Sequence, residues 1–418
     1  MFHPKKTFKR IGPGVITGAS DDDPSGIATY SQAGAQFGYG LLWMALFTTP
    51  MMMAVQEMSA RLGLVSGQGL AAVFRKHTSV KVVFILSSLL FLVNTINIGA
   101  DLSAMAAAVQ LLVPASPWVY LVLFALGIAV LEVFVSYRRY VNVLRWLTLS
   151  LLAYVAAAFF VQQDWLAVLK QTIVPTLTFT PASLTMVVAV LGTTISPYLF
   201  FWQTSEEVEE EIATGRKTVR ARRGATSIEL KSMRRDVAAG MIFSNVIMFF
   251  IIVMSAATLH RAGITNIQTA VQAAEALRPL TANFAFILFT LGIVGTGLLA
   301  IPILAASASY AIAEVFGWRE GLSENYRHAH SFYLVMVVAI ALGLLTNALG
   351  VPPISFLVFA AVLNGLLAPI FLWYIIRLAD RRDIVGRRRS PTVVRLVGWA
   401  TFTVIALATV ALVIQYVV

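Results

Sequence analysis

Two short stretches hold polar chemistry where the flanking sequence is apolar. The first is Asp21-Asp22-Asp23-Pro24-Ser25-Gly26, midway through an apolar run over 12–37. The second is Gly192-Thr193-Thr194-Ile195-Ser196-Pro197-Tyr198, inside an apolar run over 182–203. Charge in hydrocarbon is costly, so three consecutive acids there need a reason. Pro24 lacks an N–H and clashes with the preceding turn. Gly26 adds backbone freedom. Together they predict a helix break beside the acids. Carbonyls freed at bilayer depth are tolerated only where protein or a polar cavity satisfies them. A carboxylate beside freed carbonyls is a donor set for a hard cation. The plainer reading of 21–26 is a kink whose acids face a vestibule or pair with arginine, but a kink needs no run of three acids. The plainer reading of 192–198 is a proline kink with its hydroxyls satisfied within the helix.

The elements that must hold these stretches follow from composition. The chain has 418 residues, 58% of them hydrophobic and 12% charged, with no cysteine. Its mean hydropathy is +0.80. A soluble domain carries about 25% charged residues, so a soluble enzyme, a disulfide scaffold and a disordered protein are all excluded. Without cysteine there is no thiolate ligand or thiol nucleophile. No phosphate loop, zinc motif or catalytic triad is present, and no cofactor is expected. No loop is long enough for an ATPase domain, and nothing at the N-terminus reads as a cleavable signal.

A helix needs roughly 20 apolar residues to cross a bilayer. Eleven spans are predicted, over 12–37, 41–62, 82–112, 117–136, 144–162, 182–203, 237–259, 281–314, 330–349, 354–376 and 395–417. With the N-terminus inside, all of the 31 Lys and Arg residues except Lys170, Arg261 and Arg278 fall on the inner side. That asymmetry sets the N-inside orientation in the cytoplasmic membrane. It also accounts for the net charge of +11 without any nucleic-acid partner.

The broken spans are the first and the sixth. Interruptions at matching positions of two five-helix halves point to the midplane site of an inverted-repeat transporter. The repeats are 12–162 and 182–376, and 395–417 is an added helix; the whole chain is one all-α transmembrane domain. The charged stretch 204–236 reads as a solvated cytoplasmic loop, with anionic-lipid contact by basic loops as the sharper alternative. Glu57 is expected to pair with Arg61 at i+4, and Glu132 with Arg138 or Arg139. Asp101, near Asn94 and Asn97, lines a polar path or makes an interhelical hydrogen bond. Asn245 and Asn364 read as packing residues. None of the five histidines (His3, His77, His260, His328, His330) falls at a span centre.

Gly12-Pro13-Gly14, then Asp23-Pro24-Ser25-Gly26, resembles the first helix of the Nramp divalent-metal transporters, which runs from Gly-Pro-x to Asp-Pro-Gly-Asn at the same spacing. The stretch 193–198 resembles their Ala-x-x-Met-Pro-His segment. Gln56 through Arg61-Leu62-Gly63 to Gly67, and Pro352-Pro353, also fit. The resemblance implies a leucine-transporter-like fold of ten core helices, with the ion between broken helices 1 and 6. It places the family's aspartate ligand on Asp23, its asparagine on Gly26, its carbonyl-bearing alanine on Thr193, its methionine on Ser196 and its histidine on Tyr198. A glutamine of the tenth helix falls on Ala361.

Ser196 in place of methionine removes a soft donor, and Gly26 in place of asparagine enlarges the site and lowers the count of direct ligands. Thioether sulfur suits softer metals, whereas hydroxyl, carbonyl and carboxylate suit Mg²⁺, Ca²⁺ and Mn²⁺. Mg²⁺ usually keeps several waters around one or two carboxylates. The sequence therefore looks like the Nramp-related magnesium transporter branch. Asp23, Gly26, Thr193 and Ser196 form the expected metal site, with Asp21, Asp22, Thr194, Tyr198 and Asp101 around it or along the pathway. Tyrosine, with an ordinary pKa of about 10, is a poor proton relay, so weak or absent proton coupling is expected. The alternatives are a proton-coupled Mn²⁺/Fe²⁺ transporter, Na⁺-coupled amino-acid uptake on the same fold and a non-transporting metal sensor. A monomer is expected.

Overall fold

The structure is a computed structural model that describes residues 12–135, 148–278 and 284–417. Lys5, Lys6, Lys9, Arg10, His3, Arg138, Arg139 and Arg145 lie outside the described residues. So does the start of the span expected at 144–162.

The first expected span is two helices, α1 (Pro13–Asp21) and α2 (Pro24–Phe37). Each starts on a proline, whose missing N–H costs nothing there. Gly38, at φ 58°, turns the chain, and α3 (Trp43–Ser66) leaves at 107° to α2. Helix α3 stops at Gly67, whose left-handed φ of 65° suits glycine. Then follow α4 (Leu70–His77), α5 (Val80–Gln110) and α6 (Pro117–Phe134). After the undescribed stretch come the short helices α7 (Leu152–Ala158) and α8 (Trp165–Ile173).

The second half opens with another interrupted span, α9 (Pro181–Thr194) and α10 (Pro197–Ala213). A short turn, α11 (Val219–Arg222), leads to α12 (Ser227–Ser255), which closes in a π turn over Ala256–His260. The remaining helices are α13 (Ala270–Glu275), α14 (Ala285–Phe316), α15 (His330–Thr346), α16 (Pro353–Ala379), α17 (Arg382–Val385) and α18 (Thr392–Val417).

Among the described residues, eight helices are long and apolar enough to cross a membrane, or nine with the bent α2–α3 pair. The shortfall from eleven falls on the first, second and fifth expected spans. Span 1 is cut into pieces of nine and 14 residues. Span 2 meets the length and hydropathy test only with α2, across the sharp bend. Span 5 begins outside the described residues.

The expected loop at 204–236 is largely helix instead. Helix α10 runs on to Ala213 and α12 begins at Ser227, leaving a connection of 13 residues, 214–226. Nor is the segment a solvated charge run, because Glu207, Glu209 and Glu211 are buried. The start of α12 is a capping box, with Glu229 N donating to Thr226 Oγ1 and Thr226 N donating to Glu229 Oε2 at 2.7 Å. Arg216 ties the connection to Glu211 and Glu229.

Small residues let the broken helices approach their neighbours backbone to backbone, a common membrane packing device. A Cβ on Gly18 of α1 would lie 2.3 Å from Gly240 O of α12. A Cβ on Gly192 of α9 would lie 2.1 Å from Ala361 O of α16. Ala361, buried in α16, offers backbone to this packing.

Candidate functional site

The first break falls at Asp22-Asp23. Helix α1 ends as Asp22 leaves the helical region (φ −85°, ψ 48°). Asp23 is the N-cap of α2, and its Oδ1 accepts the Gly26 N–H at 2.6 Å. Asp23 Oδ2 lies 3.5 Å from both Asn97 Nδ2 of α5 and the Tyr198 hydroxyl of α10. The Tyr198 hydroxyl also reaches Ser20 O at 3.2 Å. Ser25 Oγ donates to Leu357 O of α16 at 3.0 Å, fixing the start of α2.

The three acids feel one another's charge but take different hydrogen-bond partners. Ser244 of α12 lies 2.6 Å from Asp21 Oδ2 and 3.2 Å from Asp22 Oδ1. Asp21 and Asp22 therefore face α12, while Asp23 faces α5 and α10. Among the described residues, no three His, Cys, Asp or Glu side chains converge as a metal-binding group. The groups in hydrogen-bond reach of the Asp23 carboxyl are amide and hydroxyl.

The second break falls at Ile195-Ser196. Ser196 is the N-cap of α10, but its hydroxyl caps nothing in that helix. It turns back to Gly192 O at 2.5 Å and Thr193 O at 3.0 Å. The Thr194 hydroxyl donates to Val190 O at 2.8 Å, inside its own helix, and not into the break. The two breaks meet at Gly26, where a Cβ would lie 3.4 Å from Thr193 Oγ1 and 3.0 Å from Asp21 O. Gly26 thus permits close apposition of the breaks; the space beside it is narrow.

Asp23, Gly26, Thr193 and Tyr198 therefore converge, and Asn97 joins them. The Ser196 hydroxyl reaches the group through the Thr193 carbonyl. Asp101, one turn beyond Asn97 on α5, is fully buried, with the Ser25 backbone N–H and the Asp23 carboxyl as its polar neighbours. Asp23 and Ser196 are each 1% exposed and Thr193 3%, so the group is closed to solvent on both sides.

Polar contacts continue from the first break toward the basic end of the molecule. Thr17 Oγ1 lies 2.6 Å from Gln203 Oε1, and Gln203 Nε2 donates to Glu207 Oε1 at 3.0 Å. Asp236 of α12 accepts the Gly14 N–H at 2.6 Å, capping α1 from another helix. A Cβ on Gly12 would lie 2.4 Å from the Asp236 carboxyl, so the glycines around Pro13 make room for that cap. Glu57 binds Arg61 as expected, at 2.5 Å, and also Arg234 at 2.8 Å. Glu132 is buried, and its expected partners lie outside the described residues. Asn245 accepts a hydrogen bond from Thr48 at 2.9 Å.

Sequence reasoning missed Ser244, a lone serine in an apolar helix, which carries no signal by itself. It also missed Gln203 and Thr17. Asp236 had a signal, since Gly12 cannot cap the helix that Pro13 begins.

The Nramp family pattern, described as natural resistance-associated macrophage protein-like, matches residues 14–415. The chain is 27% identical over 408 residues to the divalent metal cation transporter MntH of Klebsiella pneumoniae strain 342, covering 94% of this chain and 91% of that protein. It is 26% identical over 403 residues to MntH of Deinococcus radiodurans, covering 94% and 87%. Among solved structures it is similar to the Eremococcus coleocola manganese transporter, with a TM-score of 0.74 at 18% identity, covering 95% of this chain and 84% of that one. It is also similar to Mhp1, a nucleobase-cation-symport-1 family transporter, with a TM-score of 0.60 at 14% identity, covering 97% and 90%. At these identities the structural likenesses show a shared fold.

Proposed function

This chain belongs to the Nramp family, and on that premise we propose that it carries divalent metal cations across a membrane by alternating access. The carrying observation is the apposition of two helix breaks at mid-span, with the Asp23 carboxyl between them beside the Tyr198 hydroxyl and the Thr193–Ser196 stretch. The named relatives are transporters and not enzymes. The topology proposed is eleven spans with the N-terminus inside, in the cytoplasmic membrane, built as two inverted repeats of five helices.

In this reading Asp23 binds the ion directly. The Thr193 carbonyl and the Ser196 hydroxyl contribute directly or through water, and Asn97 and Tyr198 hold the carboxylate. The proposed cargo is Mg²⁺, with Mn²⁺ also accepted. Support comes from the donor chemistry: no thioether or imidazole side chain stands among these residues, and oxygen donors suit hard ions. A single direct carboxylate suits an ion that keeps some of its waters. Asp101 and the Asp21–Asp22–Ser244 group lie beside the path.

Uptake would be driven by the ion gradient and the membrane potential, which supplies roughly 4.6 kcal/mol per 100 mV for two charges. Proton coupling would be weak or absent. The second reading is proton-coupled Mn²⁺ transport; the manganese in the name of one structural relative favours its cargo, and buried Asp101 offers a candidate carboxyl for the proton.

The test is flux into proteoliposomes of purified protein with an internal pH dye. The expected result is Mg²⁺ uptake driven by an inside-negative potential, inhibited by Mn²⁺, without acidification that tracks it. Mn²⁺ uptake indifferent to excess Mg²⁺, with matching acidification, would establish the second reading instead. Unchanged flux in Asp23→Ala would overturn the site.

A further inference from the structure

At the basic end of the molecule, α4, α16 and α18 enclose a cavity of about 580 Å³. Arg377, Arg381, Arg389 and His77 line it, against one lining carboxylate, Asp380. Arg381 is held by Asp383, at 3.0 Å and 2.7 Å. Asp380 is engaged by Arg395 at 2.6 Å, with Arg389 further off at 3.8 Å. Two guanidiniums therefore keep unused donors. Arg377 lies 4.9 Å over the Trp373 ring and has no carboxylate partner among the described residues. The Nε of Arg389 is buried with no hydrogen-bond partner. Arginine's planar fork of donors matches phosphate oxygens.

The apolar wall of the same cavity separates a lipid from a soluble anion. Trp373 and Trp399 line it, 5.5 Å apart in an edge-to-face pair, and Phe402 packs on both at 5.6 Å and 5.7 Å. Both tryptophans are more than a third exposed, on a surface that continues into exposed Ile370 and Leu396. Tryptophan beside arginine on a membrane helix marks the headgroup level. Basic pockets between helices at that level suit anionic headgroups.

We propose that this cavity binds an anionic phospholipid, its phosphate held by Arg377 and Arg389 and its acyl chains along Trp373, Trp399 and Phe402. The proposal rests on the membrane reading of α16 and α18, not on which metal is carried.

Native mass spectrometry of the purified full chain tests it, with phosphatidylglycerol, phosphatidylcholine of the same chains, and inorganic phosphate as probes. The expected result is retained phosphatidylglycerol and little retention of the other two. In Arg377→Gln with Arg389→Gln that retention should fall about fivefold per arginine, the equivalent of about 1 kcal/mol per basic group at an anionic leaflet. Arg377→Lys with Arg389→Lys should keep part of it, which separates lost binding from misfolding. Arg220→Gln with Arg223→Gln, an exposed basic pair elsewhere, should leave it unchanged. Equal retention of phosphatidylcholine, an equal loss in the Arg220/Arg223 variant, or full retention in the Arg377/Arg389 glutamine variant would overturn the proposal. Retention of inorganic phosphate as firm as that of phosphatidylglycerol would overturn the lipid as occupant.

Discussion

The two helix breaks are built alike but use their polar atoms differently. Both end on a non-helical residue, restart on a proline and are wedged by a glycine against a neighbouring backbone. At the first, the N-cap is a carboxylate that spends one oxygen on Gly26 and turns the other toward α5 and α10. At the second, the N-cap is a hydroxyl that folds back onto the carbonyls of its own preceding helix. One break carries carboxyl groups, and the other carries hydroxyl and carbonyl oxygens already partly satisfied. Charge at the first should be indispensable, whereas chemistry at the second should be adjustable. The second is also where this chain departs most from the motif it resembles.

The sharpest way to break that comparison is Asp23→Asn. The amide keeps an oxygen for the Gly26 N–H, so the cap survives while the charge is lost. Metal flux should fall about 100-fold or more, since losing an outer-shell partner alone costs roughly 10–100-fold, with the thermal unfolding midpoint little changed. If folding and flux fail together, Asp23 is a structural cap only.

Next in size are Gly18→Ala and Gly192→Ala. Each drives a Cβ into a neighbouring backbone carbonyl, at 2.3 Å and 2.1 Å. Each should cost about 1–3 kcal/mol, as overpacking does, measurable as a lower unfolding midpoint in detergent. A neutral result at only one would show that the breaks are not wedged alike.

Asp236→Ala removes the cap that α1 receives from α12, a loss of about 1 kcal/mol. Its check is faster hydrogen exchange at Gly14 and its neighbours. The smallest effect is expected of Ser196→Ala, which gives up hydrogen bonds to Gly192 and Thr193 carbonyls. Flux should change about threefold or less, in line with one modest hydrogen bond. A loss as large as that of Asp23→Asn would make the second break an equal partner.

Both breaks were legible because proline and glycine act locally, through a missing N–H and a missing Cβ. The direction of the acids was not. Asp21, Asp22 and Asp23 read as one run, and only the turn at Asp22 sends the first two to Ser244 and the third to Asn97 and Tyr198. Asn97 stood out as polar beside Asp101, but the packing of α5 against the break decides what it touches. The charge of 204–236 suggests a loop, although Thr226-Ser227-Ile228-Glu229 spells a capping box and marks the helix start. Its glutamates are buried because the C-terminal ends of α10 and α14 pack there, with Tyr310 donating to Glu209 at 2.9 Å. That is a tertiary fact no local pattern carries. Glu57–Arg61 was legible at i+4, whereas Arg234, far along the chain, was not.

The most direct measurement is an anomalous difference map from crystals grown with Mn²⁺, whose absorption edge identifies the ion. The account predicts a single midplane peak between Asp23 and the Thr193–Ser196 stretch. A peak instead among Asp21, Asp22 and Ser244, with none at Asp23, would contradict it.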